Sequence, residues 1–309
     1  MRGLHPMKID HMQNHPATDK NLWGVLLISV SAIGYGLQPV FGKLAYAEGM
    51  TPSTVTFGRF LLAVALFELH YLFLPKGAKV SARELLTAAG IGVVYAAATV
   101  CYYLSLQYLS PLVFSFVYYT YPAMTLFVGA LLFGGKITRN HLISTALLVS
   151  GTALLLSGGE VTANTRGVLW ILGCALCMAL FFQLQQFLPK QRCELYHARI
   201  MLRVMAAVFL AWWLMDGAPN QDGGARGFWW VLLIGLLSTY IAFTAAVMGI
   251  ARLGAAHAAL LSGQEPLWTA LFSFVMLGLA LDAGQWAGAA MMLAAICCIN
   301  YFAVRQTRT

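Results

Sequence analysis

The chain has 309 residues, of which 60% are apolar or aromatic and only 10% charged, and its net charge is +8. Soluble domains carry about 25% charged residues, so a soluble fold of this length could not cover its surface with these side chains. Lipid is the solvent that fits. The positive charge does not mark a nucleic-acid binder, because Lys and Arg stand singly between long apolar runs instead of gathering on one soluble face.

In chain order, residues 1–21 are polar and without hydrophobic period, and they are read as a disordered tail. A bilayer core takes about 20 apolar residues of helix. Ten stretches qualify or nearly do: 22–44, 54–74, 85–106, 111–133, 140–158, 166–188, 197–215, 227–249, 255–279 and 285–304. The first is read as a retained span. Ala45-Tyr46-Ala47 mimics a signal-cleavage site, but the run exceeds the usual apolar region of about 7–15 residues and contains Pro39. The connections are short and carry the breaks, at Pro75-Lys76-Gly77, Gly134-Gly135-Lys136, Ser157 to Glu160, Pro189 to Arg192 and Asp216 to Gly224. None is large enough to fold by itself, and a short tail, 305–309, closes the chain.

Lys and Arg accumulate on cytoplasmic loops. With ten spans both termini share a side, and that side holds fourteen Lys and Arg, whereas Lys43, Arg166 and Arg226 make three on the other. Both termini are therefore expected in the cytoplasm, with the chain multi-pass in a cell membrane, the inner membrane of a bacterium.

Shifting the sequence by 144 superposes its halves. Arg59 falls on Arg203, Ala63 on Ala207, Pro122 on Pro266 and Thr125 on Thr269. At a shift of 143, Gly24-Val25-Leu26 meets Gly167-Val168-Leu169. The unit has five spans, an odd number, so the second copy must enter the membrane from the opposite side, as in the inverted repeats of many secondary transporters. The expected fold is an all-α polytopic membrane protein with ten transmembrane helices in two inverted-topology repeats of five, 22–158 and 166–304.

Ten spans with a basic cytoplasmic face, Arg-x-x-x-Ala in spans 2 and 7, and a mid-span Pro in spans 4 and 9 resemble the drug/metabolite transporter superfamily. The similarity is strongest to its two-EamA-domain branch, which includes the YddG-type amino acid exporters, and it covers about residues 22–304. It implies a secondary transporter of small metabolites. Relatives usually carry a Glu at the ends of spans 4 and 9, where this chain reads Gly134-Gly135 and Leu279-Ala280, so no role of that Glu transfers.

Charges inside a membrane are costly and mark function. Glu265 is the most central, at about the eleventh residue of span 9, and is a candidate site for a substrate amine or a proton, or a structural carboxylate. Arg59 and Arg203 lie near span ends and are read as snorkelling or loop-capping side chains. Glu68 and His70 are expected to reach water, and Lys43 to anchor the interface. Pro122 and Pro266 remove backbone hydrogen bonds, freeing the carbonyls of about Tyr118 and Ser262. Free backbone at that depth is tolerated where it is buried in protein or lines a cavity. Around the breaks cluster Tyr118, Tyr119, Gln264, Glu265 and Trp268. Tyr95, Gln38 and Tyr240 complete the candidate substrate-binding set, an aromatic cavity with few polar groups that suits an amphipathic metabolite.

No cofactor, metal or nucleic-acid partner is expected. The expected partners are a small-molecule metabolite and the lipid bilayer, with a proton as coupling ion or, as the alternative, facilitated export with no coupling. Cys174 and Cys177 have CxxC spacing, but they sit mid-span without a second pair, which reads as packing. Gly284-x-x-x-Gly288 gives span 10 a small-residue face, compatible with a monomer or a homodimer. No P-loop is present, so the reading is export by alternating access without direct use of ATP. A membrane-embedded enzyme is one rival, for which the seven His form no cluster. A channel or receptor is the other.

Overall fold

Local sequence chemistry starts the helices. Thr51, Ser81 and Ser110 stand just before helices, and each side chain accepts a backbone N–H three residues on, from Thr54, Glu84 and Val113. Pro52 and Pro111 follow two of these caps, where the missing N–H costs nothing. The computed structural model describes residues 17–73, 81–133, 139–156, 164–184, 187–188, 194–217, 224–253 and 261–306. Regular structure among them is helical, with no strand. The helices are α1 (Ala17–Ala47), α2 (Pro52–Leu72), α3 (Ala82–Tyr108), α4 (Pro111–Tyr118), α5 (Tyr121–Phe133), α6 (Arg139–Leu156), α7 (Thr165–Leu184), α8 (Glu194–Met215), α9 (Gly224–Leu233), α10 (Ala242–Leu253), α11 (Glu265–Leu277) and α12 (Ala283–Gln306). A π-helical segment, Ile234–Ile241, joins α9 to α10.

Seven of the described helical stretches are long and apolar enough to cross a membrane, and α11 is a shorter apolar helix. Several sequence expectations change. Helix α1 begins at Ala17, inside the segment expected to be a disordered tail. The stretch expected as one span at 111–133 remains one candidate span, Pro111–Leu132, but its helix is interrupted at Tyr119-Thr120, between α4 and α5. Helix α12 continues to Gln306, past the expected tail boundary, because no Gly or Pro interrupts Asn300 to Gln306. Residues 1–16, the breaks at 75–77, 134–136, 157–160 and 189–192, Cys193 and the start of span 9 lie outside the described residues.

Helix α3 packs along α7, and α1 along α10 and the π segment. Helix α6 lies on α12, α2 on α8, and α11 against α1 and α4. Large apolar side chains on the outer surface, among them Leu131, Phe274 and Val275, are exposed. Polar ones, including Ser31, Thr99, Ser115, Thr269 and Ser273, are buried. Such an outward apolar face is a liability in water and a match to hydrocarbon.

Lipid tails are as apolar as leucine, so helices in a membrane associate through close packing and interhelical hydrogen bonds. Small residues make that approach. A Cβ on Gly34 would lie 2.8 Å from the Leu237 carbonyl oxygen, and one on Gly36 would lie 2.7 Å from Trp268 Cβ. One on Gly151 would meet the Gly288 carbonyl oxygen at 2.8 Å, so Gly288 of the small-residue face is used within this chain, against α6.

Candidate functional site

The two membrane prolines start helices. Pro122 is the second residue of α5 and Pro266 the second of α11, so Tyr121 and Glu265, the first residues of those helices, also stand 144 apart. Their mates behave alike, since Thr125 Oγ1 donates to the Tyr121 carbonyl at 2.8 Å and Thr269 Oγ1 to that of Glu265 at 3.3 Å. Pro266 leaves the Ser262 carbonyl without its helical N–H. That oxygen accepts from the Tyr119 hydroxyl at 3.0 Å. The same hydroxyl lies 2.6 Å from Glu265 Oε2.

Gln264 ties this junction to α1. Its Nε2 donates to Ser29 Oγ at 3.2 Å and to the Leu261 carbonyl at 2.8 Å, while its Oε1 accepts from Trp268 Nε1 at 3.2 Å. The Tyr118 ring meets those of Tyr119 and Tyr121 at centroid distances of 5.7 and 5.3 Å. Five expected site residues, Tyr118, Tyr119, Gln264, Glu265 and Trp268, are thus placed around the breaks in spans 4 and 9.

Gln38 and Tyr95 stand elsewhere, on the wall of a small cavity of about 20 Å³. Its wall is built from Tyr35 and Gln38 of α1, Arg59 and Phe60 of α2, Tyr95 of α3, Leu202 of α8, Ser238 and Thr239 of the π segment, and Phe243 of α10. Tyr240 points to another contact, its hydroxyl 3.4 Å from His70 Nδ1.

Arg59 corrects the sequence reading. It does not snorkel; it is 4% exposed and faces the cavity. Helix α2 buries Thr56, Arg59, Phe60, Ala63 and Phe67, the three- and four-residue spacing of one helical face, and Arg59 is on that face. Its Nη1 donates to Tyr103 Oη at 3.1 Å, and its guanidinium carbon lies 4.4 and 5.0 Å from the ring centroids of Phe60 and Tyr103. Its Nε has no hydrogen-bond partner among the described residues, and neither does Ser238 Oγ on the same wall. Ser238 was not among the expected residues. The available signal was its pairing with Thr239 inside an otherwise apolar run.

Glu68, Lys43 and Glu84 also have partners among the described residues. Glu68 accepts from the Arg199 guanidinium and, at 2.7 Å, from Arg203 Nε, so neither Glu68 nor Arg203 simply extends into water. Lys43 Nζ donates to the Gln107 carbonyl at 3.4 Å. His197 Nε2 and Glu84 Oε1 form a buried contact of 2.7 Å between α8 and α3. Among the described residues no group of three or more His, Cys, Asp or Glu could hold a metal ion.

Comparison with known proteins adds the family. The sequence matches the EamA-like transporter family twice, over residues 22–157 and 165–301. It is 25% identical over 277 residues to an uncharacterized transporter, YcbK, of Bacillus subtilis, covering 82% of this chain and 85% of that one. It is also 25% identical over 174 residues to an uncharacterized inner membrane transporter, YicL, of Salmonella typhimurium. That match covers 54% of this chain and spans just over half, 57%, of the relative's length. A crystal structure of another protein superposes with a TM-score of 0.61 at 18% identity, covering 94% of this chain and 98% of that one, a likeness of fold alone.

Proposed function

Because this chain belongs to the EamA-like transporter family, we propose that it is a secondary transporter exporting small amphipathic metabolites such as amino acids, as the YddG-type exporters it resembles do. The observation that carries the proposal is the double family match, one copy in each half of the chain. The proposal includes ten spans, two inverted repeats of five, and both termini in the cytoplasm of a bacterial inner membrane. Helix packing supports it, because exchanging the halves turns the α3–α7 pair into the pair formed by the π segment and α10 with α1, and both pairings occur. Rocking one half against the other would then expose the interior alternately to each side. Nothing in this reading requires a cofactor or a catalytic group.

Glu265 is the proposed amine- or proton-binding group. The Tyr119 hydroxyl has one hydrogen and two acceptors in reach, the Ser262 carbonyl and the Glu265 carboxyl. Both contacts are hydrogen bonds at once when Glu265 carries a proton and donates it to the tyrosine oxygen, leaving the tyrosine hydrogen for Ser262. A place therefore exists for one exchangeable proton at the helix break. Efflux of labelled amino acids from proteoliposomes, with and without an imposed pH gradient, tests the reading. Wild type should respond to the gradient, and Glu265→Gln should still exchange substrate but lose that response. A wild type that moves no member of a broad metabolite panel would overturn the transport reading.

A further inference from the structure

A buried guanidinium needs compensation, and Arg59 has little. Two aromatic faces and one tyrosine oxygen contact it, no carboxylate pairs with it among the described residues, and its Nε is free. Ser238 lines the same cavity, 1% exposed, with its hydroxyl unused. The hydroxyl is placed by the π segment, and wide turns of this kind concentrate at functional sites. An unpaired buried charge is strongly destabilising, as is an unused buried donor. Two such donors on one wall are what an arriving anion would satisfy.

We propose that the cavity between α1, α2, α3 and the π segment is a carboxylate-binding subsite, in which Arg59 and Ser238 donate to the two oxygens of a carboxylate on an organic metabolite. This deepens the transport reading above and rests on it for its physiological ligand. The planar guanidinium presents donors in a fork that matches a carboxylate's two oxygens. Beside Gln38, Thr239 and Leu202, the wall carries four aromatic rings, those of Phe60, Phe243, Tyr35 and Tyr95, which suit an apolar or ring-bearing body rather than a hydrated inorganic ion. As it stands the cavity has a volume of about 20 Å³, room for about one water molecule, so a metabolite enters only when the walls part, as alternating access between the two halves would make them do.

Matched acids and amides test the assignment on the purified full-length protein by thermal shift. The pairs are L-phenylalanine and L-phenylalaninamide, L-leucine and L-leucinamide, and 3-phenylpropionate and 3-phenylpropionamide, with inorganic phosphate alongside. At least one acid should raise the melting temperature at a concentration about tenfold below its amide, and Arg59→Gln and Ser238→Ala should each weaken that acid about tenfold. Arg59→Lys, which keeps the charge and loses the fork, stands in if Arg59→Gln does not fold. Ser238→Ala removes a hydroxyl that has no partner among the described residues and should not lower the ligand-free melting temperature. The proposal is overturned if no acid binds, if amides or phosphate bind equally, or if Ser238→Ala and Arg59→Lys bind like wild type. Flux separates this from the parent reading. An acid that binds through Arg59 but never crosses proteoliposomes refutes transport and keeps the subsite, whereas equal flux of acid and amide through wild type and Ser238→Ala does the reverse.

Discussion

Tyr119→Phe is a sharp perturbation of the helix break, because it deletes one oxygen and keeps the ring that packs against Tyr118 and Tyr121. The lost oxygen is 3.0 Å from the Ser262 carbonyl and 2.6 Å from Glu265. Pro266 supplies no N–H, so the Ser262 carbonyl loses the partner that replaced it. An orphaned buried polar group costs about 1–3 kcal/mol, and a neutral hydrogen bond is worth about 0.5–1.5 kcal/mol. The expected destabilisation is therefore about 1–3 kcal/mol, read as a melting temperature lower by several degrees at about 2–4 °C per kcal/mol for large domains. Glu265→Gln is the comparison. Its amide N–H can donate to the tyrosine oxygen as the protonated carboxyl does and leaves the Tyr119–Ser262 bond in place, so it should cost less than Tyr119→Phe. If Tyr119→Phe melts like wild type, or Glu265→Gln costs more, the hydroxyl does not hold the break together.

Two further outcomes can be checked. Replacing His197 alone by Leu takes one partner from the buried Glu84 contact and should cost about 3–5 kcal/mol; Glu84→Met with His197→Leu should recover much of it, and a coupling below about 0.5 kcal/mol in the double-mutant cycle would show that the pair is not a unit. For the proposed orientation, an impermeant thiol reagent on intact cells should label a cysteine placed at Asp222 and miss one placed at Lys190, and the reverse pattern would overturn it.

The helices were legible because lipid tolerates only long apolar runs with internally bonded backbone, and such runs are plain in the sequence. The breaks at Pro122 and Pro266 were legible for an equally local reason, the missing N–H. The partner that completes the second break was not, since Tyr119 reaches Ser262 across 143 residues of chain. Arg59 was visible as an intramembrane charge and misplaced, because distance from a span's end gives depth but not facing. Its facing follows from the buried stripe that includes Thr56, Ala63 and Phe67, a weak signal in a helix apolar all round. The π segment left no mark in Ile234 to Ile241, which holds no Pro. Its surroundings are tertiary, with Gly34 of α1 set close to the Leu237 carbonyl.

Arg59 and Arg203 occupy matching places in the two halves and live differently. One is buried beside a cavity; the other is half-exposed and engaged by Glu68. A chamber on a true two-fold axis would offer a guest the same chemistry from both sides, and the guest could sit in either of two poses. Here only one of the two matched cations lines the chamber, so the interior is polarised, with the guanidinium entering from the first half alone. On the proposed subsite, a guest with a charged head and an apolar body would meet a single preferred pose, its direction set by which of two matched arginines has no carboxylate partner among the described residues.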